Sequence, residues 1–192
     1  MEDAELIVKI KDGNTNAFRF LIDKYKNLVW HLVLRLINQR EDAEDLCQEI
    51  FIRVFKDIDK FRGESKLSTW IGTITYHTCI DYLRKKGRGK LVPTDNMRAV
   101  AVGKMAEETA STKVDKLYIK KIVHKIIEEM PIHYRTVITL YHLEEMSYKE
   151  IGQITGMPEG TIKSYLNRSR QILRDRVMQM VPDIQPVLFD AD

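Results

Sequence analysis

Apolar residues recur at spacings of three and four along Ala17, Phe18, Leu21, Ile22, Tyr25, Leu28, Val29, Leu32 and Leu36, and this run limits the fold more than any other feature. Side chains three or four apart share one face of a helix, whereas a strand would scatter them over two faces. The segment is predicted to be a long amphipathic helix, opened by the capping candidates Asn14 and Thr15. A second helix is expected over about 41–60 and a third over about 68–86. The third, "STWIGTITYHTCIDYL", is rich in Thr and Ile, which favour strands, but Trp70, Ile74, Cys79, Ile80 and Leu83 keep helical spacing. Residues 87–112 carry two early glycines, a proline and no sustained period, so they read as a linker. The expectation is an all-α chain of two small helical domains, 1–86 and 113–180, joined by a flexible linker over 87–112 and followed by a tail over 181–192.

The second domain carries the sharper local pattern. "SYKEIGQITGMPEGTIKSYLNRSRQILRDRV" reads as a short helix, a turn at Gly156, Met157 and Pro158, and a longer basic helix from about Glu159: a helix-turn-helix. Gly156 supplies the left-handed turn residue, and Gly152 lacks a side chain where two helices must cross closely. Ile151, Ile154, Ile162 and Leu166 are predicted to share a core. With Ile162, Leu166 and Leu173 as the buried stripe, Lys163, Ser164, Asn167, Arg168 and Gln171 are left facing outward. Those side chains can hydrogen-bond bases and phosphates.

Charge is distributed in the same sense. The net charge is only +3, yet Arg62, Lys66, Arg84, Lys85, Lys86, Arg88 and Lys90 are opposed between positions 62 and 90 only by Glu64 and Asp81. A second basic stripe, Lys163, Arg168, Arg170, Arg174 and Arg176, faces only Glu159 and Asp175. Two separated stripes suit a long polyanion better than a small anion. Against them stands "EDAEDLCQEIF", residues 41–51. At 100° per residue, Glu41, Glu44, Asp45, Gln48 and Glu49 fall on one broad face, and Ala43, Leu46, Cys47, Ile50 and Val54 fall on the other. Outward acids are most often simply solvated. The alternatives are a metal or acid–base site and a docking surface for a basic partner.

Other features exclude function classes. With 44% hydrophobic and 31% charged residues over 192 positions, the chain can bury a core without metals or disulfides. Cys47 and Cys79 lie in apolar-periodic segments and form no C-x-x-C pair, as expected for buried thiols in a reducing cytoplasm. No run approaches the roughly 18 apolar residues of a spanning helix, so a cytoplasmic protein without membrane insertion is expected. His31, His77, His124, His133 and His142 form no ligand motif, so neither a metal nor any other cofactor is expected.

"DAEDLCQEIFIRVFKDIDKFRGESKLSTWIGTITYHTCIDYLRKK" resembles the promoter-melting domain of bacterial sigma factors, especially the extracytoplasmic-function (ECF) branch. "MPIHYRTVITLYHLEEMSYKEIGQITGMPEGTIKSYLNRSRQILR" resembles the second DNA-binding domain of the same family, in the same order. The resemblance covers roughly residues 4–86 and 113–178. It implies a factor without catalysis of its own that directs core RNA polymerase to a class of promoters. In this family the helix matching the acidic stretch binds a basic coiled-coil element of the largest polymerase subunit, which assigns that role to Asp42, Asp45, Gln48 and Glu49. The following segment implies minus-ten recognition and melting by Phe61, Arg62, Lys66, Trp70, His77, Arg84, Lys85 and Lys86, with the loop and helix holding a flipped base and the basic end holding phosphate.

His77 stands where the family often has Asn, which leaves the preferred base open. Trp70 also fits a core position, with Ile71 beside it and Ile74 a turn on. Minus-thirty-five recognition is implied for Lys163, Ser164, Tyr165, Asn167, Arg168 and Arg170. Tyr165 stands where many members have Arg or His, and it borders the buried stripe. Arg170, Arg174 and Arg176 fit phosphate better than bases. Promoter DNA, core polymerase and a cognate anti-sigma protein are the expected partners. The competing reading is a stand-alone helix-turn-helix regulator, which would need a dimerisation surface such as the helix expected over 113–129.

Overall fold

The computed structural model describes residues 2–86 and 116–181. Eight α-helices make up the regular structure of those residues: α1 Asp3–Lys11, α2 Thr15–Leu36, α3 Arg40–Asp57, α4 Leu67–Lys85, α5 Lys116–Glu129, α6 Ile132–His142, α7 Tyr148–Thr155 and α8 Glu159–Met180, with a 3-10 turn at Ile58–Lys60. The all-α expectation holds, and the Thr-rich segment is helical as its spacing demanded. Its β-branched threonines are accommodated because Thr73, Thr75 and Thr78 donate to the carbonyls of Thr69, Ile71 and Ile74 at 2.7–2.9 Å. The expected linker over 87–112 and most of the expected tail lie outside the described residues. Among the described residues no helix is long and apolar enough to cross a membrane.

Local chemistry sets the helix ends. Asn14 caps α2, its side-chain oxygen accepting from the Ala17 amide at 3.0 Å. Ser147 and Glu150 form a reciprocal capping box on α7, and Gly156 ends that helix at φ 74°, the left-handed conformation a side chain would strain. α1 was not foreseen in the sequence. It is short, but Leu6 and Ile10 are buried against the rest, and packing rather than propensity keeps it helical.

α2 is the central helix. It packs against α1, α3, α4 and α6. The main core joins Leu21, Leu32, Ile50 and Ile71 of the first half to Leu140, Ile151, Ile154 and Ile162 of the second. A smaller cluster, Ile122, Ile126, Met130, Tyr134, Val177 and Val181, fastens α5 and α6 to α8. The two halves therefore meet over a shared apolar surface, along α2·α6 and α4·α7. Gly72 marks the α4·α7 crossing: a Cβ there would lie 2.8 Å from Ile154 Cδ1. Polar ties rim this contact. Lys66 Nζ lies 2.9 Å from Glu150 Oε1, His31 Nδ1 2.7 Å from Glu144 Oε1, and the buried Arg35 guanidinium 2.6 Å from His124 Nδ1.

Candidate nucleic-acid and partner interfaces

The helix-turn-helix forms as its punctuation implied. At Gly152 a Cβ would lie 3.1 Å from the Met157 carbonyl oxygen, so the bare backbone lets the turn fold back onto α7. Ile151, Ile154, Ile162 and Leu166 are essentially inaccessible, and Lys163, Ser164, Asn167, Arg168, Arg170 and Gln171 are exposed along one side of α8. Leu173 is half-buried, and Ser169 completes the inner stripe, its hydroxyl donating to the Tyr165 carbonyl at 2.7 Å. Polar identity hid that position, since a serine can be buried once it bonds its own helix.

Aromatic rings back the outward face of α8. Lys163 Nζ sits 5.4 Å above the Tyr148 ring, Tyr148 stacks on Tyr141 at 5.3 Å, and the Arg170 guanidinium lies 5.4 Å from the Tyr141 ring. Arg170 Nε also donates to His142 Nε2 at 3.2 Å, and burial together with that arginine lowers the His142 pKa. The imidazole is thereby kept a neutral acceptor, and the cation stays on the arginine. Tyr165 is half-buried, its ring 4.8 Å from Tyr134 and 6.1 Å from His133. Arg176 is committed elsewhere: it pairs with Glu129 of α5 at 2.6 Å with its side chain 14% exposed, so it ties α8 to α5 instead of offering itself to phosphate.

The loop after α3 and the helix α4 carry the other basic stripe. Phe61 packs edge-on against Trp70, ring centroids 5.4 Å apart, and both are half-buried. Gly63 turns the loop at φ 75°. Arg62, Lys66, His77, Arg84, Lys85 and Lys86 are exposed, with His77 edge-on to the buried Tyr76. A cavity of about 430 Å³ opens beside Phe61, Arg62 and Lys66, and α1 supplies its far wall. Three of these cations have protein partners: Lys66 meets Glu150, Arg84 meets Asp81 at 3.4 Å on its own helix, and Lys86 meets Asp42 at 2.9 Å while lying over the Tyr82 ring. Lys86, expected on phosphate, and Asp42, expected on polymerase, are thus neighbours across α3 and α4.

On α3 the division by periodicity holds except at Cys47, which was expected to be buried but is half-buried at the edge of a cleft between α2 and α3. Ala43, Leu46, Ile50 and Val54 are buried, while Glu41, Glu44, Asp45, Gln48 and Glu49 are exposed. Arg40 pairs with Glu44 at 3.0 Å and Arg53 with Glu49 at 2.6 Å. Such exposed pairs contribute little, about 0.3–0.5 kcal/mol each, so the face keeps its acidic character. Sequence reading missed what lies beside it. Phe18, Ile22, Phe51, Ile52 and Phe55 line an apolar cleft of about 600 Å³ between α2 and α3, with Ile52 and Phe55 53% and 47% exposed. The signal was present in "EIFIRVF", where apolar residues occupy more than one helix face.

Neither thiol favours its thiolate form. Burial raises the Cys47 pKa to about 11 and raises that of buried Cys79 as well. Among the described residues no three His, Cys, Asp or Glu side chains converge as a metal site would need.

The Sigma-70 region 2 family matches residues 21–89, and the Sigma-70 region 4 family matches residues 120–173. The chain is 33% identical over 183 residues to the ECF RNA polymerase sigma factor SigW of Bacillus subtilis, covering 91% of this chain and 96% of that one. It is 30% identical over 186 residues to the ECF RNA polymerase sigma-E factor of Haemophilus influenzae, covering 94% and 98%. Among solved structures it resembles CnrH in complex with the cytosolic domain of CnrY, with a TM-score of 0.65 at 17% identity over 95% of this chain and 99% of that one. It also resembles RpoE from Bartonella quintana in complex with the anti-sigma factor NepR, with a TM-score of 0.62 at 22% identity, covering 88% and 98%. At those identities the two structures speak to the fold.

Proposed function

The chain belongs to the ECF branch of the sigma-70 family and directs promoter-specific transcription initiation, and from that premise we propose how its surfaces divide the work. The acidic face of α3, through Asp42, Asp45, Gln48 and Glu49, docks on a basic element of core RNA polymerase. The adjoining apolar cleft supports this reading, because exposed apolar surface beside charge suits a protein partner and an acidic face cannot lie on DNA. Phe61, Arg62, Lys66, Trp70 and His77 hold unstacked bases of the minus-ten element, and Arg84, Lys85 and Lys86 hold its backbone. Binding flipped bases better than stacked ones melts the duplex without fuel. Lys163, Ser164, Tyr165, Asn167, Arg168 and Arg170 read the minus-thirty-five element, Tyr165 through its exposed edge only.

The observation that carries the reading is the pairing of two cationic faces backed by aromatic rings with a third, acidic face on a separate helix. The factor has no catalysis of its own and acts in the cytoplasm. Two domains, 1–86 and 113–180, an intervening linker and a cognate anti-sigma protein complete the proposal. A stand-alone dimeric regulator is disfavoured because the apolar stripe of α5, Ile122 and Ile126, is already covered by α8. Run-off transcription with purified core polymerase on a genomic library is the test. Discrete start sites preceded by a shared pair of elements are expected, and core polymerase whose initiation is unchanged by the factor would refute it.

A further inference from the structure

The cavity beside the minus-ten loop is not built by the loop alone. Asp3, Ala4 and Ile7 project from one side of α1 and close it opposite Phe61, Arg62 and Lys66. Asp3 is held from behind: Lys24 Nζ lies 2.7 Å from one carboxylate oxygen, and the Tyr25 hydroxyl donates to the other at 2.7 Å. Tyr25 is itself buried, and burial together with this hydrogen bond raises its pKa, so the phenol remains a donor across the physiological range. A carboxylate has about four acceptor sites and no donor. With two occupied, Asp3 keeps free acceptor sites, and it lines the same cavity as Arg62 and Lys66.

We propose that α1 forms one wall of the base-binding pocket and that Asp3 is a specificity-determining residue, which accepts from the exocyclic amino group of the flipped base and so rejects thymine. The inference rests on the minus-ten reading above. Cytosine, adenine and guanine each carry an exocyclic amine; thymine offers oxygens at the corresponding positions. An oxygen against the carboxylate would leave two acceptors facing each other in a half-closed site, an unpaired arrangement that disfavours binding. Arg62 and Lys66 on the opposite wall suit the acceptor atoms and phosphate of the same nucleotide. Holding Asp3 by two partners keeps its acceptors aimed, since neither oxygen can swing away without breaking a bond.

The test is selection of open complexes from a promoter library randomised across the minus-ten element, using the full chain bound to core RNA polymerase. The wild-type profile should show one position at which thymine is depleted by about tenfold, the discrimination expected of one hydrogen bond to a charged acceptor. Asp3→Asn, whose amide can turn either a donor or an acceptor to the base, should bring that position to within about threefold of even. Ala4→Leu, on the exposed side of the same wall, should disfavour purines there by filling the cavity. Arg62→Ala should weaken binding of every sequence and still leave thymine depleted at that position, since Asp3 is untouched. With cytosine placed at that position, its exchange for deoxyuridine turns the exocyclic amine into an oxygen and the adjacent ring nitrogen into a donor, and should weaken the wild-type complex by about tenfold even if Asp3→Asn folds poorly. An unchanged profile in Asp3→Asn, or indifference to the deoxyuridine exchange, would overturn the role of Asp3 and leave the minus-ten reading standing. Failure of wild type to form any open complex would overturn that reading and this inference together.

Discussion

Lys163 and Arg168 stand on the exposed side of α8, and Ile162 and Leu166 beside them carry the packing. Changing both cations to alanine should therefore cost promoter affinity with little cost in stability. A loss of about ten- to a hundredfold is expected, together with a shallower dependence of binding on salt, because fewer counterions are released. Electrophoretic mobility of the cognate promoter across a salt series measures both. Glu150 has a different task. Its hydrogen bonds with Ser147, helped by Lys66, lower its pKa from an ordinary 4.5 to about 2. A carboxyl depressed by folding stabilises the fold above its ordinary pKa, and that contribution is lost as pH falls through the folded value. Melting temperature should thus fall between about pH 4.5 and pH 2, and Glu150→Gln should flatten the slope in that window.

At the scale of one helix, the acids of α3 separate into two kinds. Glu41 and Asp42 lie in its first turn, where negative charge complements the helix dipole by about 0.3–1 kcal/mol. Asp45 and Glu49 lie beyond that turn, and the local gain does not explain them. Reversing both to arginine should leave helix content unchanged by circular dichroism while weakening association with core polymerase by tenfold or more, the loss of two favourable charge contacts and the gain of two repulsive ones. Equal affinity for the double variant and the wild type in a fluorescence titration would remove α3 from the docking surface.

At the scale of the whole molecule, the described arrangement and the proposed task impose different distances. Minus-ten and minus-thirty-five elements lie on the order of 80 Å apart at about 3.4 Å per base pair. A compact chain as long as the described residues has a radius of gyration of only about 15 Å. α4 and α7, one from each DNA-reading half, are in direct contact, and Lys66 spans them to Glu150. Simultaneous reading of both elements therefore requires that contact to open. Glu150→Lys combined with Gly72→Val places like charges at Lys66 and bulk against Ile154. Small-angle scattering should show a larger radius for that variant. An unchanged radius would show that the α2·α6 contact holds the halves together without the α4·α7 crossing.

Much of this molecule was legible in the chain because its strongest signals are local. Periodicity divides buried Leu46, Ile50, Ile162 and Leu166 from their charged neighbours, and Asn14 and Gly156 announce a cap and a turn through side-chain and backbone chemistry that act within a few residues. Resemblance added the roles that spacing could not supply. What remained hidden depends on residues far apart in sequence. α1 is helical because Leu6 and Ile10 find a core, Arg176 faces Glu129 across 47 positions, and Asp3 reaches Lys24 and Tyr25 to close a cavity with a loop some 60 residues on. The sequence by itself determined the helices, their inner faces and the charge each outer face would carry, since those follow from 3.6 residues per turn and local hydrogen bonding. Only the tertiary structure decided which outer charges are already partnered and how the two DNA-reading halves meet, because burial and ion pairing are properties of surfaces brought together, not of spacing along a chain.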